Sequence, residues 1–398
     1  MRKAERPIAL VLGFTHPSLV VENFLEQMAG GLLALNYRPH IIYIDQDIGP
    51  QIEGLDISKV EFALSLGGLP LKLNINQKPI YEALGCPFVL YLIDNILYEF
   101  NNLKSVGAFF EAAETRPNLH LACCERSFAS MLTDVWKERG CDKTVHFLPM
   151  AGFFQAGPLN TDKKEAIAVI GNLGALPAVG AVSANSLAEL VVSNAPEGTS
   201  DKQISDIIAR VTSETFKGNV AKEILAALGL PTAALLDPSV LRLATAVDRM
   251  LRLISRYSKV NSLRGLPVDF YGTGWKEAFP DHEGFNFCGQ ISHPEIARVL
   301  GHYKATLNFD PGFEDGVHDR VISALVQGTH VITNKNEYLK DIPGSEGWVH
   351  TYPYSATDIH EVAARALHAT EQGGSKDLRK EIYLKNGWGE RFFDLLNS

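Results

Sequence analysis

Short apolar runs alternate along this chain with glycine- or proline-marked turns and helical segments, and that alternation restricts the fold more than any single motif. Residues 8–12 form an apolar run that closes at Gly13-Phe14-Thr15-His16-Pro17-Ser18. Over 19–35 the apolar positions Val20, Phe24, Met28, Leu32 and Leu35 follow a helical period. Asn36-Tyr37-Arg38-Pro39 breaks that helix, and 40–44 reads as a second buried strand. Strand, turn, helix and strand make a βαβ unit, which implies a parallel sheet covered on both faces. Further strands are expected at 61–66, 88–93, 119–123 and 145–148. They complete a first α/β domain over 1–158, with Gly152, Gly157, Pro158 and the charged run Asp162-Lys163-Lys164-Glu165 as the linker candidate.

A second α/β domain is expected over 159–375. Its strands are read at 166–170, 268–271, 305–309 and 330–333, with a helical insertion at 183–260 and helices at 294–300 and 320–326. The tail, 376–398, reads as helix interrupted near Asn386-Gly387-Trp388-Gly389. Where two Rossmann-like domains face each other, a final helix often crosses back to the first, and the sequence permits such a crossing here.

A chain of 398 residues suits two domains better than one core. The 46 acidic and 37 basic side chains leave a formal charge of −9, which argues against nucleic acid or an anionic membrane surface as a broad partner. Five cysteines, Cys86, Cys123, Cys124, Cys141 and Cys288, are an odd set without metal-ligand spacing, as expected for reduced thiols in a cytoplasmic protein. The opening MRKAERPIALVLGF is too short in its apolar part for a signal peptide, and no run approaches the roughly 18 apolar residues of a membrane span. No transmembrane segment is expected.

Chemistry concentrates between Leu307 and Gly328. Leu307-Asn308-Phe309-Asp310-Pro311-Gly312-Phe313-Glu314-Asp315-Gly316-Val317-His318-Asp319-Arg320 takes an apolar strand through a two-glycine loop into a helix. Open parallel sheets bind ligands at the carboxyl ends of their strands, and the amides and dipole of a helix start suit a diphosphate. Gly312 and Gly316 let the backbone approach a ligand. Arg320 would neutralise phosphate charge, and His318 would donate to a phosphate or sugar oxygen. The structural alternative is an ordinary loop and helix cap with Arg320 on the surface.

The run HDRVISALVQGTHVITNKNEYL resembles the C-terminal motif of CgeB-like glycosyltransferases, written with His-Glu-Arg, an Ala-containing helix, Gly and a strand. That resemblance implies the GT-B superfamily, whose two facing Rossmann-like domains hold a nucleotide sugar on the second. In the wider superfamily this loop carries a Glu where Asp315 falls and a second Glu where Ser323 falls. The chain departs from that pattern at both places, so Ser323 could offer a donor ribose only a neutral hydrogen bond. Tyr271-Gly272-Thr273-Gly274-Trp275 resembles the family's glycine-rich turn near the base. Cys288-Gly289-Gln290-Ile291-Ser292-His293-Pro294 resembles the next turn, with Gly289 at its bend. The resemblance therefore implies a donor site of Gly272, Gly274, Trp275, Gly289, Asp310, Gly312, Asp315, Gly316, His318, Arg320 and Ser323. The first-domain segments Phe62 to Gly68, Gly85 to Asp94 and Phe147 to Met150 resemble the half often paired with CgeB-like domains.

An inverting transferase needs a base for the acceptor proton. His16 and Asp94 are the candidates, each at a strand end; the structural alternative for both is a helix-start role. Glu22 reads as a solvated helix residue, and Asp45-Gln46-Asp47 as a turn rather than a metal site. No metal ligands and no cofactor beyond the donor substrate are expected. The reading is therefore metal-independent transfer of a sugar, hexosyltransferase-like, to an unidentified glycan, protein or small-molecule acceptor. A nucleotide-sugar epimerase of the same architecture and a non-catalytic two-lobed binding protein are the rival readings. A Rossmann dehydrogenase is disfavoured because the first strand runs into GFTHPS rather than a GxGxxG turn.

Overall fold

The alternation read from the sequence folds as two parallel six-stranded sheets, one in each of two units of the chain. The computed structural model describes residues 6–75, 77–153, 162–173, 184–310, 312–369 and 376–397. One unit is Met1–Ala151 with Leu384–Ser398, and the other is Gly152–Tyr383. Gly157, Pro158 and the boundary expected at 158/159 lie outside the described residues.

The first sheet contains β1 (Ile8–Gly13), β2 (Arg38–Tyr43), β3 (Val60–Leu66), β4 (Phe88–Leu92), β5 (Leu119–Cys123) and β6 (His146–Phe147), in the order β2-β1-β3-β4-β5-β6. Leu10 is in register with His40 on one side and Ala63 on the other. Its central strands are apolar without alternation because they are covered on both faces: Ala9, Leu10, Val11 and Leu12 are all fully buried. β2 takes in Arg38 and Pro39, which the sequence reading placed in a break. Proline's missing N–H is tolerated there because β2 is an edge strand.

Helix α1 (Val20–Ala34) buries Val21, Phe24, Leu25, Met28 and Leu32, the stripe of an amphipathic helix. The C-terminal helix Trp388–Asn397 belongs to this same unit and packs on α1. A Cβ on Gly31 would lie 2.6 Å from that of Trp388, so only glycine allows the two helices so close. The Trp388 ring meets Phe24 at 6.2 Å and Tyr91 at 5.9 Å between centroids. Trp388→Ala is expected to cost this unit about 3–5 kcal/mol, read as a lower midpoint in equilibrium urea unfolding.

The second sheet contains β7 (Lys164–Ile170), β8 (Val268–Tyr271), β9 (Phe285–Gly289), β10 (Tyr303–Leu307), β11 (His330–Asn334) and β12 (Val349–Tyr352), in the order β9-β8-β7-β10-β11-β12. The sequence reading did not find β9 and β12. Both are edges, partly exposed, and so lack the continuous apolar run that marks a central strand. Between β7 and β8 the chain forms helices Ala184–Asn194, Asp201–Val211 and Val220–Leu228, and then α2 (Pro238–Asn261). Asp237 starts α2 by accepting from the amides of Ser239 and Val240, with Pro238 in the first turn.

Strand order reverses between β1 and β3 in the first sheet and between β7 and β10 in the second. The carboxyl ends of such neighbouring strands diverge into loops on opposite sides, which opens a crevice for ligand.

Candidate functional site

In the second unit the crevice lies where β7 runs into Gly171-Asn172 and β10 into Asn308-Phe309-Asp310. Asp310 is buried. It accepts from Asn308 Nδ2 at 2.9 Å, Thr333 Oγ1 at 3.3 Å and Asn336 Nδ2 at 3.4 Å. Burial pushes its carboxyl up to about 6, against the opposing pull of these hydrogen bonds, the His318 amide and the Arg320 charge. Asn336 Nδ2 also donates to Gly316 O at 2.8 Å, tying the loop to the end of β11. Gly312 has a φ of 78°, in the left-handed region that favours glycine.

Helix α3 (Asp319–Val326) begins at this loop, with His318 as its N-cap. His318 Nδ1 lies 3.3 Å from Arg320 Nε and also contacts the Asp319 carboxylate. The second Asp319 oxygen is 3.6 Å from His293 Nε2. Burial alone would raise the Asp319 carboxyl; His318 and His293 overcome that and hold it well below the usual carboxylate range. His318 itself is pushed down, first by burial and then by the Arg320 charge. Arg320 extends to the neighbouring strand, where Nη1 donates to Ile170 O and would lie 3.0 Å from a Cβ on Gly171. A buried carboxylate, two imidazoles and a guanidinium therefore gather at one helix start, beside the end of β7.

The glycine turns converge on the same strand ends. A Cβ on Gly272, whose φ is 139°, would lie 2.2 Å from Gly171 O, so the β7 and β8 turns approach closely only without side chains. Gly272 N donates to Gly289 O at 2.8 Å, and Gly274 precedes the short helix Trp275–Ala278 with a φ of 84°. Trp275 is buried rather than presented to the crevice. Its Nε1 donates to Gly171 O at 2.6 Å and its ring stacks near Phe309, so it buttresses the turn from below. Ser323 also faces inward. Its hydroxyl donates to Asp319 O at 2.8 Å and accepts from Phe153 N at 2.8 Å. The ribose contact that the resemblance implied is therefore not offered by Ser323 as placed; one turn after Asp319, helix phase directs it to the interior. Asp315 is partly exposed on the loop and lies within electrostatic reach of Lys340.

In the first unit His16 is exposed at the end of β1. Its Nδ1 lies 2.8 Å from Ser18 Oγ, and its backbone N–H donates to Glu22 Oε1 at 2.9 Å, so Glu22 anchors the loop. Asp45 accepts from Thr15 N at 2.9 Å, and Asp47 caps the next helix, so that acidic pair builds turns. Asp94 is exposed at the end of β4. The cap of the following helix is Asn95, accepting from Leu97 N at 3.0 Å, rather than Asp94.

Sequence reading missed Glu99 here. It accepts from Gly68 N at 3.3 Å across the end of β3, and burial, reinforced by Asp94, pushes its carboxyl up to about 7 despite that hydrogen bond. A carboxyl raised from 4.5 to about 7 stabilises the fold fully below pH 4.5 and loses that contribution as pH rises through 7. Between pH 5 and pH 8, Glu99→Gln should therefore gain about 2–3 kcal/mol in stability relative to the wild type, measured by urea unfolding at both pH values.

No protein-family model and no curated protein sequence matches this chain. Among solved structures, a glycosyltransferase from Rickettsia africae ESF-5 is similar with a TM-score of 0.53 at 9% identity, covering 99% of this chain and 98% of that one. A glycosyltransferase involved in avilamycin A biosynthesis is similar with a TM-score of 0.51 at 11% identity, covering 98% of this chain and 96% of that one. At such identities the likeness is one of fold, and the fold is GT-B: two Rossmann-like α/β domains in one chain. Among the described residues no cluster of three His, Cys, Asp or Glu could hold a metal, and no helix is long and apolar enough to cross a membrane.

Proposed function

We propose that this protein is a glycosyltransferase, moving a sugar from a nucleoside-diphosphate sugar to a hydroxyl-bearing acceptor. The observation that carries this reading is the gathering of Asp310, His318 and Arg320 at the β7–β10 reversal. There the first amides of α3 and one guanidinium suit a leaving diphosphate, whose charge grows as the glycosidic bond breaks. In this reading Asp310, held by several donors, orients a sugar hydroxyl. Gly289, with no atom within 4 Å of a Cβ built on it, leaves room near the β9 end for the nucleoside, while Gly272 and Gly274 shape the turn after β8 and Trp275 acts through Gly171. His16 and Asp94 are the candidate bases for the acceptor proton. In this reading the reaction is metal-independent and hexosyltransferase-like, in a CgeB-like subfamily of GT-B on the strength of the HDRVISALVQGTHVITNKNEYL run, and takes place in the cytoplasm. The acceptor is a glycan, a protein or a small molecule.

A panel of nucleotide sugars incubated with the protein and candidate acceptors tests this directly, with glycosylated product as the readout. His16→Ala and Asp94→Ala should keep donor affinity within about twofold, while the variant that removes the base loses about 100-fold or more in transfer. Full transfer by both variants would remove both residues as the base. Interconversion of the sugar without an acceptor would favour an epimerase, and binding without turnover a two-lobed binding protein.

A further inference from the structure

At the amino edge of the first sheet, three basic residues come together that no step of the proposed transfer uses. Ile8, which opens β1, is in register with Arg38 at the start of β2 and with Val60 at the start of β3. Arg6 and Lys59 come just before β1 and β3, and Arg38 N donates to Pro7 O at 2.8 Å, which holds these strand starts side by side. The parallel topology therefore gathers at one edge cations that are far apart in sequence.

Arg6, Arg38 and Lys59 line a solvent-open cavity of about 450 Å³, a volume in the range of ligand pockets. The rest of the wall is largely apolar, made by Ile8, Leu33 of α1 and Leu55. Leu33 is 51% exposed, so apolar surface is left open to water in that wall. Gly54, also in the lining, has no atom within 4 Å of a Cβ built on it, and the rim stays open there.

The charges in this cavity do not balance. Arg6 and Arg38 form no ion pair among the described residues. Lys59 Nζ lies 3.8 Å from Asp56, the one carboxylate in the lining, and both side chains are about half exposed. Asp56 is also engaged by its own turn, accepting from Ser58 N at 3.1 Å and Ser58 Oγ at 2.6 Å. Three cations against one carboxylate leave a local charge of +2, on a chain whose formal charge is −9. A dianion relieves the repulsion among the cations, and guanidinium forks match phosphate oxygens in geometry as well as charge. A phosphate monoester carries close to two charges near neutral pH, where a carboxylate carries one.

We propose that this cavity binds a phosphate monoester with an apolar body, its head on Arg6, Arg38 and Lys59 and its chain against Leu33 and Leu55. Open parallel sheets bind substrates at the carboxyl ends of their strands. This cavity lies at the opposite ends of β1, β2 and β3, so it is distinct from the His16 loop after β1, and it stands whether or not the protein transfers sugars.

Calorimetric titration of the full chain with octyl phosphate below its micelle concentration, inorganic phosphate and 1-octanol tests the proposal, with each variant's fold checked by its melting curve. Octyl phosphate should bind at least about tenfold more tightly than inorganic phosphate, the gain from burying about two methylenes, and at least about tenfold more tightly than octanol. Arg38→Gln should weaken octyl phosphate about tenfold. Leu33→Asn should weaken it about fivefold and leave inorganic phosphate within about twofold. Both side chains are exposed, so neither change disturbs the core. Arg320→Ala should leave octyl phosphate within about twofold, since its guanidinium belongs to the other unit. Failure of octyl phosphate to bind would overturn the site, as would binding that Arg38→Gln leaves unchanged or that Arg320→Ala abolishes. Octanol binding as tightly would deny the charged head a role, and inorganic phosphate binding as tightly would deny the chain one; either result overturns the proposal.

Discussion

Arg320→Ala is expected to weaken nucleoside diphosphate binding about 10- to 100-fold, from the roughly 1.5–3 kcal/mol that a hydrogen bond to a charged group contributes. The guanidinium starts on the second residue of α3 and reaches the carboxyl end of β7, spanning the two strands between which the order reverses. A phosphate placed there would meet the guanidinium and the first amides of the helix together. Nη1 also donates to Ile170 O, so the alanine variant should lose about 1 kcal/mol of stability as well. Arg320→Lys separates the two roles: it keeps the charge but not the forked geometry, and its affinity should fall between wild type and alanine. Titration calorimetry at low and moderate salt measures both variants. Affinity unchanged in Arg320→Ala would move the phosphate away from this loop.

Asp319→Asn should destabilise the second unit by about 3–5 kcal/mol, because the fully buried carboxylate is shared by His318 and His293, and its loss leaves both without their acidic partner. Asp319 contacts His318 and lies 3.6 Å from His293, and its carboxyl is held well below the ordinary range. A depressed carboxyl contributes stability that is present above its unfolded value and is lost as pH falls toward its folded one. The gap between wild type and Asp319→Asn should therefore be full at pH 7 and narrow once pH drops below about 4. Urea unfolding across that range measures the gap; a gap independent of pH would mean that Asp319 acts through packing rather than charge.

The two α/β halves were legible because central parallel strands, covered on both faces, must be apolar throughout. β1 and β4 follow that rule closely. β9 and β12 did not announce themselves, since edge strands with one exposed side carry mixed residues, and Pro39 looked like a break because only an edge strand admits it. The loop from Gly312 to Arg320 was legible for a local reason: strand, glycines, cap and helix follow one another within a few residues. Ser323 and Trp275 sat in the same motifs but point inward, and the helical phase of Ser323 one turn after Asp319 already contained that information. Glu99 and the role of His293 were invisible because their partners are distant in sequence. Glu99 meets Gly68, and His293 meets Asp319, through contacts that only the folded chain creates.

The most direct test of the central claim is a thermal-shift titration of the full chain with a panel of nucleoside diphosphates. At a hundredfold excess over its Kd, the matching nucleotide stabilises the native state by about 2.7 kcal/mol, which corresponds to a rise of several degrees in Tm. A diphosphate site at Arg320 requires such a rise for at least one nucleotide, and its loss in Arg320→Ala at the same concentration. A wild-type Tm unmoved by every member of the panel would contradict it.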